Sequence, residues 1–487
     1  MRILVIYDNT VRPNDIIREV IGKKGFGDVV VKRRLLKDFY KENIDGISNC
    51  IEWIECNNLY DIEEMLQHGN GFDKREEVKV LHCFADFIVS DASKLLLTYR
   101  KINYIEDDIQ LMLKNRCPAL MFSTWAAYID FLKNAVKQQS TKRALLDLNF
   151  QELTVEGLSY IGEISNFIQC ITGNFDSRYF NSLQGTEYRL RKSSTNKKKI
   201  KSEYTYYHLL PESMQSWFVM PFDYREDADT ASYAMERLHM TDIAIKWVHG
   251  SIGYEEFEQL MDMYFYFFGE RSKKQVSKEE YEKISRSLYI DKVYERIQNL
   301  KTLPEFKKIE NLLTNNESLS SIDEIYAWYL ELKEKVEKRV EYPVVSAIGH
   351  GDPCFANAMY NRSTRTLKFI DPKGALTEEE LWTNPYYDIA KLSHSVCGRY
   401  DFFNNAMFDI TIDDKFDYVL TIPFDNSEYK EIFRKKVEEN GFDYWSVRLY
   451  EASLFLSMLP LHIDYPHKVF GFILNAVNIL KEIEENV

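Results

Sequence analysis

The chain has 487 residues, 45% of them hydrophobic and 28% charged, enough for two or three packed domains and too apolar for a disordered chain. A formal net charge of −14 argues against non-specific nucleic-acid binding, which needs a basic surface to displace counterions from phosphate. Seven cysteines show no Cys-x-x-Cys and no zinc spacing, and no window approaches the roughly 18–20 apolar residues of a membrane span, so a cytoplasmic protein with reduced thiols is expected.

The opening "MRILVIYDN" holds an apolar run too short for a signal-peptide core and reads as a buried strand. "DVVVK" and "VKVLHCFADFIV" read as further strands, and "WAAYIDFLKNAVKQ" has helical period. This alternation predicts a small α/β domain with a parallel sheet over residues 1–150. Residues 151–240 change pattern. "FIQCITGNFDSRYFNSLQGTEYRLRKSS" reads as antiparallel strands with turns at Gly173-Asn174 and Gln184-Gly185. "KKIKSEYTYYHLL" reads as a helix stopped by Pro211, and "ASYAMERL" as a strand. From 253 to 340, and again from 427 to the end, the chain is strongly helical. Two short strands, "PVVSAIGH" and "TLKFID", flank a segment of different character.

That segment is "HGDPCFANAMYNRSTRTLKFIDPKG". Phosphoryl transfer needs a carboxylate to orient the attacking hydroxyl, oxygen ligands for Mg²⁺ and a cation on the α/β-phosphates. A kinase catalytic loop presents its Asp and its metal-binding Asn five residues apart, the separation of Asp352 and Asn357. A second metal-binding Asp belongs at the end of the next strand, where Asp371 stands, and a hairpin of "NAMYN" with "TLKFID" would set the two loops side by side. The plainer reading is Asp and Asn as ordinary turn formers at strand ends.

"HGDPCFAN" followed by "FIDPKG" resembles the catalytic and metal loops of the aminoglycoside phosphotransferase and choline kinase superfamily, and "NPYYDIAKLSHS" is similar to its Tyr-Asp-hydrophobic-Ala segment. The resemblance implies an α+β bilobal protein-kinase-like domain behind the α/β domain: a nucleotide-binding lobe at 151–240 and a helical catalytic and substrate-binding lobe at 241–487. It implies ATP and Mg²⁺ as cofactors, Asp352 as catalytic base, Asn357 and Asp371 as metal ligands, and structural roles for His350 and Asp388. Gly351 stands where protein kinases carry Arg, and no Ala-Pro-Glu follows Asp371, so the expected acceptor is a small-molecule hydroxyl.

A kinase-like lobe further implies an upstream phosphate hairpin, a strand Lys, a helix Glu and a hinge. These fall at Gly173, Asn174 and Ser177; at Lys192; at Glu203; and at "MERLH", with Met235 and Arg237. Lys192 is preferred to Arg191 because period two then puts Leu190, not Arg189, beneath the adenine. Acceptor walls fall at 241–340 and 400–487, rich in aromatic and acidic residues that suit a sugar, aminosugar or aminoalcohol, or else simply pack and face solvent. "VLHCFADFIVSDASK" resembles the metal-binding Asp segment of sugar-phosphate nucleotidyltransferases, with Asp86 in that place. "VIYDNTVRPND" lacks their Gly-rich loop, so this unit is expected to be inactive. Such a fusion would suit bacterial surface-polysaccharide assembly. Two rivals stand beside the kinase reading: a non-catalytic nucleotide-binding scaffold, and nucleotidyl transfer from ATP. Oligomeric state is left open.

Overall fold

The computed structural model describes residues 2–31, 33–44, 51–68, 78–172, 181–185, 188–238, 240–316 and 319–487. The chain divides into two compact units, 1–175 with 249–251, and 176–248 with 252–487.

The first unit is built on a six-stranded sheet in the order Ile51–Cys56, Arg2–Asp8, Val78–Phe84, Arg116–Phe122, Ile109–Leu113, Gln151–Thr154. Val78–Phe84 is buried at every position, as a central strand covered on both faces must be. Leu4, Ile6, Val80, Leu120 and Phe122 meet Tyr128, Phe131 and Leu132 of the helix Trp125–Gln138 in one core. Thr124 caps that helix by accepting from the Ala127 amide.

Two expectations are corrected here. The sheet is mixed, not parallel, because Arg116–Phe122 runs antiparallel to both its neighbours. Leu113 and Arg116 are joined by a two-residue turn in which Lys114 is left-handed at φ 54°, and so tight a connection folds the chain straight back. The boundary lies near 175, not 150. Gln151–Thr154 completes the sheet beside Ile109–Leu113, Leu158–Tyr160 pairs with Phe87–Val89, and Ile164–Thr172 is a helix where strands were expected. "DVVVK" contracts to Val30–Val31, paired with Arg34–Leu35.

The second unit opens with a four-stranded antiparallel sheet, Asn181–Gly185, Arg189–Ser194, Ala231–Glu236, Pro221–Glu226, accompanied by the helix Lys197–Leu209. Gln184 and Gly185, read as a turn, extend its first strand. A large helical body follows. The helix Tyr444–Met458 is buried on all sides, with Arg448 and Glu451 neutralising each other inside it. A hairpin, Ala358–Asn361 with Thr366–Phe369, is set among these helices, and Thr241–Asp242 pairs along its outer edge. Among the described residues no helix is long and apolar enough to cross a membrane.

Candidate active site

The strand Val345–Ile348 delivers the chain to a loop at Gly349–Asp352 that is clamped from beneath. Asp388, in the first turn of the helix Pro385–Val396, accepts from the His350 amide at 2.9 Å and from the Gly351 amide at 2.8 Å. Arg271 donates to the same carboxylate at 2.9 Å and to the Pro385 carbonyl at 3.2 Å, and both charged side chains are fully buried. Burial pushes the Arg271 pKa below its usual value, with Asp388 working the other way. Gly351 is left-handed at φ 85°, and a Cβ there would lie 2.6 Å from the Lys373 side chain, so both backbone and packing demand glycine.

His350 is a brace. A backbone N–H can only donate, so Nδ1, 3.0 Å from the Asp352 amide, accepts, and Nε2 carries the proton given to the Ile370 carbonyl at 3.0 Å. The imidazole thus ties the residue before Asp371 to the main chain of Asp352. With both nitrogens committed, and with burial lowering its pKa, it is not a base.

Asp352 itself is accessible, its side chain 40% exposed. Asn357 donates from Nδ2 to the Asp352 carbonyl at 2.9 Å and to Oδ2 at 3.0 Å, while the Lys391 ammonium lies 3.1 Å from Oδ1. With Nδ2 spent on Asp352, the Asn357 oxygen is the atom left to offer a metal. The hairpin then returns the chain: Ala358 pairs with Phe369, the Ile370 amide reaches the Asn357 carbonyl at 3.0 Å, and Asp371 follows in a left-handed conformation at φ 53°. The Lys373 amide closes the turn on the His350 carbonyl at 2.8 Å.

Asp371 is met from the other side by Lys192. This side chain is buried, 3% exposed, and lies 2.8 Å from both Asp371 Oδ1 and Glu203 Oε2. Burial alone would lower its pKa; the carboxylates of Asp371 and Glu203 outweigh that and hold it raised. Tyr233 donates to Glu203 at 3.1 Å. The helix bearing Glu203 is fixed to both loops, by Tyr206 on the Gly349 carbonyl at 3.0 Å and by the Ala375 amide on the Ser202 carbonyl at 3.0 Å.

The sheet register puts Lys192 opposite Tyr233 and Leu190 opposite Met235, so these four side chains share one face. Met235 therefore presents its side chain to that face, while its main chain lies within the sheet between Leu190 and Pro221. The Arg237 amide is spent on the Tyr188 carbonyl at 3.0 Å, which removes that N–H from any reading of an adenine edge. Arg191 lies on the opposite face, donating to Asp223 and Ser232. Gly173, Asn174 and Ser177 lie outside the described residues. Among the described residues no group of three or more His, Cys, Asp or Glu side chains is placed to hold a metal. Asp371 and Asn357 could offer one carboxylate and one amide oxygen to a cation such as Mg²⁺, which usually takes one or two carboxylates and completes its shell with phosphate and water.

Sequence reasoning missed Arg271, Tyr233 and Lys391. Only Lys391 left a local trace, standing three residues after Asp388 and so on the same helical face. Cys354 and Cys397 are buried thiols. In the first unit, Asp86 is buried against the Lys142 ammonium at 3.0 Å, and burial raises its pKa. The turn after the first strand is closed by Asn9, which accepts from the Gly27 amide at 2.8 Å and donates to Asp28 at 2.9 Å.

No family model matches the sequence, and no curated protein matches it. Among solved structures the chain is similar to the apo form of a thermostable mutant of aminoglycoside phosphotransferase APH(4)-Ia, at 11% identity and a TM-score of 0.34, over 62% of this chain and 94% of that one. It is similar to a choline/ethanolamine kinase family protein from Mesorhizobium loti at 11% identity and a TM-score of 0.32, over 63% of this chain and 84% of that one. A mutant of the former in ternary complex with ADP and hygromycin B gives 10% identity and a TM-score of 0.35, over 65% of this chain and 97% of that one. At TM-scores this low the likeness carries no argument about fold or function.

Proposed function

We propose that residues 176–487 form an ATP-dependent phosphotransferase that moves the γ-phosphoryl group to a hydroxyl of a small molecule. The observation that carries the proposal is the convergence on Asp371: buried Lys192, braced by Glu203, reaches it from the sheet, and the hairpin returns it beside Asn357 and Asp352. Lys192 grips the α/β-phosphates once a nucleotide takes the place of its Asp371 contact. Asp352 orients the acceptor hydroxyl and takes its proton. The acceptor oxygen bonds to Pγ, the bond from Pγ to the β,γ-bridging oxygen breaks, and ADP leaves with that electron pair. Asn357 and Asp371 would hold Mg²⁺, which supplies charge neutralisation on the phosphates when bound. His350 keeps the two acidic loops at one spacing through its two hydrogen bonds. Gly351 supports a small acceptor, since no Arg is present there to pair with a phosphorylated activation loop.

The test is product analysis with Mg·ATP and a panel of sugars, aminosugars and aminoalcohols. ADP formation dependent on one acceptor class is expected. AMP with pyrophosphate would replace the reaction by nucleotidyl transfer, and tight nucleotide binding without turnover would leave a scaffold.

A further inference from the structure

Among the contacts of the Asp352 carboxylate are two of different kinds. On Oδ2 stands the neutral amide of Asn357 at 3.0 Å, which also holds the Asp352 carbonyl at 2.9 Å; a carboxylate oxygen has two lone pairs, so this one bond does not bar Oδ2 from a hydroxyl proton. On Oδ1 stands the ammonium of Lys391 at 3.1 Å, its side chain 12% exposed. Lys391 rises from the same helical face as Asp388, whose carboxylate clamps the amides of His350 and Gly351. One helix therefore presents an anion to the loop's backbone and, less than a turn later, a cation to the carboxylate that the backbone carries. Burial by itself would lower the Lys391 pKa, yet Asp352, with Tyr387 and Cys354 nearby, holds it raised, so the ammonium stays charged.

We propose that Lys391 is the positioning residue of Asp352, pinning Oδ1 so that Oδ2 is the atom turned to the acceptor hydroxyl. The proposal rests on the phosphotransferase reading above and adds to it a division of labour between the two oxygens. A cation 3.1 Å from Oδ1 fixes the direction in which the carboxylate points. That aim suits phosphoryl transfer, where catalysis is mostly positioning and the loose transition state asks for a well-placed hydroxyl. The hydroxyl proton passes to Oδ2 as the acceptor oxygen bonds to Pγ, and ADP departs with the electrons of the broken bridging bond. Lys391 gives up no proton and touches no substrate.

The experiment measures ADP release from Mg·ATP with the acceptor found in the panel, together with Mg·ADP binding by calorimetry, on the full chain. Lys391→Met should lower kcat about 10- to 100-fold, the usual loss when a partner that orients a functional group is removed. KM for ATP and Kd for Mg·ADP should stay within about threefold, because the group lost acts on Asp352 and not on the nucleotide. Lys391→Arg should recover most of kcat. In an Asp352→Asn background, Lys391→Met should cost less than about twofold more, since the carboxylate it served is gone. Wild-type kcat in Lys391→Met, an Arg variant as slow as the Met variant, or a full additional loss in the Asp352→Asn background would each overturn the role of Lys391 while leaving the phosphotransferase standing. A wild-type chain that yields no ADP with any acceptor would overturn the phosphotransferase and this role with it. Should Lys391→Met fail to fold, Lys391→Arg compared with Lys391→Gln decides the same question.

Discussion

Replacing Asp388 with Ala tests whether the loop Gly349–Asp352 is held from below. The carboxylate accepts three hydrogen bonds, from the His350 amide at 2.9 Å, the Gly351 amide at 2.8 Å and Arg271 at 2.9 Å, with no solvent exposure on either charged side chain. Hydrogen bonds to a charged partner contribute about 1.5–3 kcal/mol each, and they do not add fully when they share one atom group. Removing one member of a buried ion pair leaves the other charge uncompensated and costs about 3–5 kcal/mol. A loss of about 4 kcal/mol is therefore expected in equilibrium urea unfolding followed by tryptophan emission, with Trp217, Trp247, Trp328, Trp382 and Trp445 reporting on this unit. The double variant Arg271→Met/Asp388→Leu removes both charges and should be more stable than Asp388→Ala alone, because no unpaired guanidinium is left buried. The reasoning is refuted if Asp388→Ala lies within about 1 kcal/mol of wild type, or if the double variant is the less stable of the two.

Asp352→Ala should lower kcat roughly 100-fold or more while leaving Mg·ADP affinity nearly unchanged; calorimetry beside the product assay separates the two. Asp371→Ala should abolish the Mg²⁺ dependence of nucleotide binding, seen as coincident titrations with and without the metal, whereas a preserved Mg²⁺ effect would remove Asp371 from the metal site. Asp401 is fully buried, and burial pushes its carboxyl up to about 7, with Ser395 opposing and Asp242 and Asp352 adding to the rise. Its folded pKa lies above its unfolded value, so its cost is absent at low pH, builds up between the ordinary carboxylate range and about 7, and is complete above that. Asp401→Asn should match wild type in stability near pH 4 and exceed it by roughly 3–4 kcal/mol at pH 9, and a difference that does not change with pH would contradict the buried-carboxyl account.

Chain-local rules account for much of this geometry. The five residues from Asp352 to Asn357 make one loop, and the hairpin "NAMYN"/"TLKFID" is written in strand formers around a polar turn, so the return of Asp371 to that loop was legible before any coordinates. Period two on Arg189–Ser194 put Lys192 and Leu190 on one face, and a helix one turn on supplied Glu203 to meet that Lys. The sheet of the first unit was misread because alternating strands and helices suggest crossovers, while a two-residue turn at Lys114–Asn115 dictates reversal. The boundary was misplaced because the polar edge strand Gln151–Thr154 carries no apolar run of its own, and only its neighbour Ile109–Leu113 makes it part of that sheet.

What the amino-acid sequence determined by itself is the set of groups whose spacing is enforced by turns and strand period: Asp352, Asn357, Asp371, Lys192 and Glu203. Tertiary structure decided who holds them. Arg271 reaches Asp388 across 117 residues of chain, and Lys192 reaches Asp371 across 179. His350 offers one nitrogen to each acidic loop. No local pattern encodes such partners, because a buried charge selects whichever opposite charge the packed core brings within reach, and that choice exists only after the core has closed.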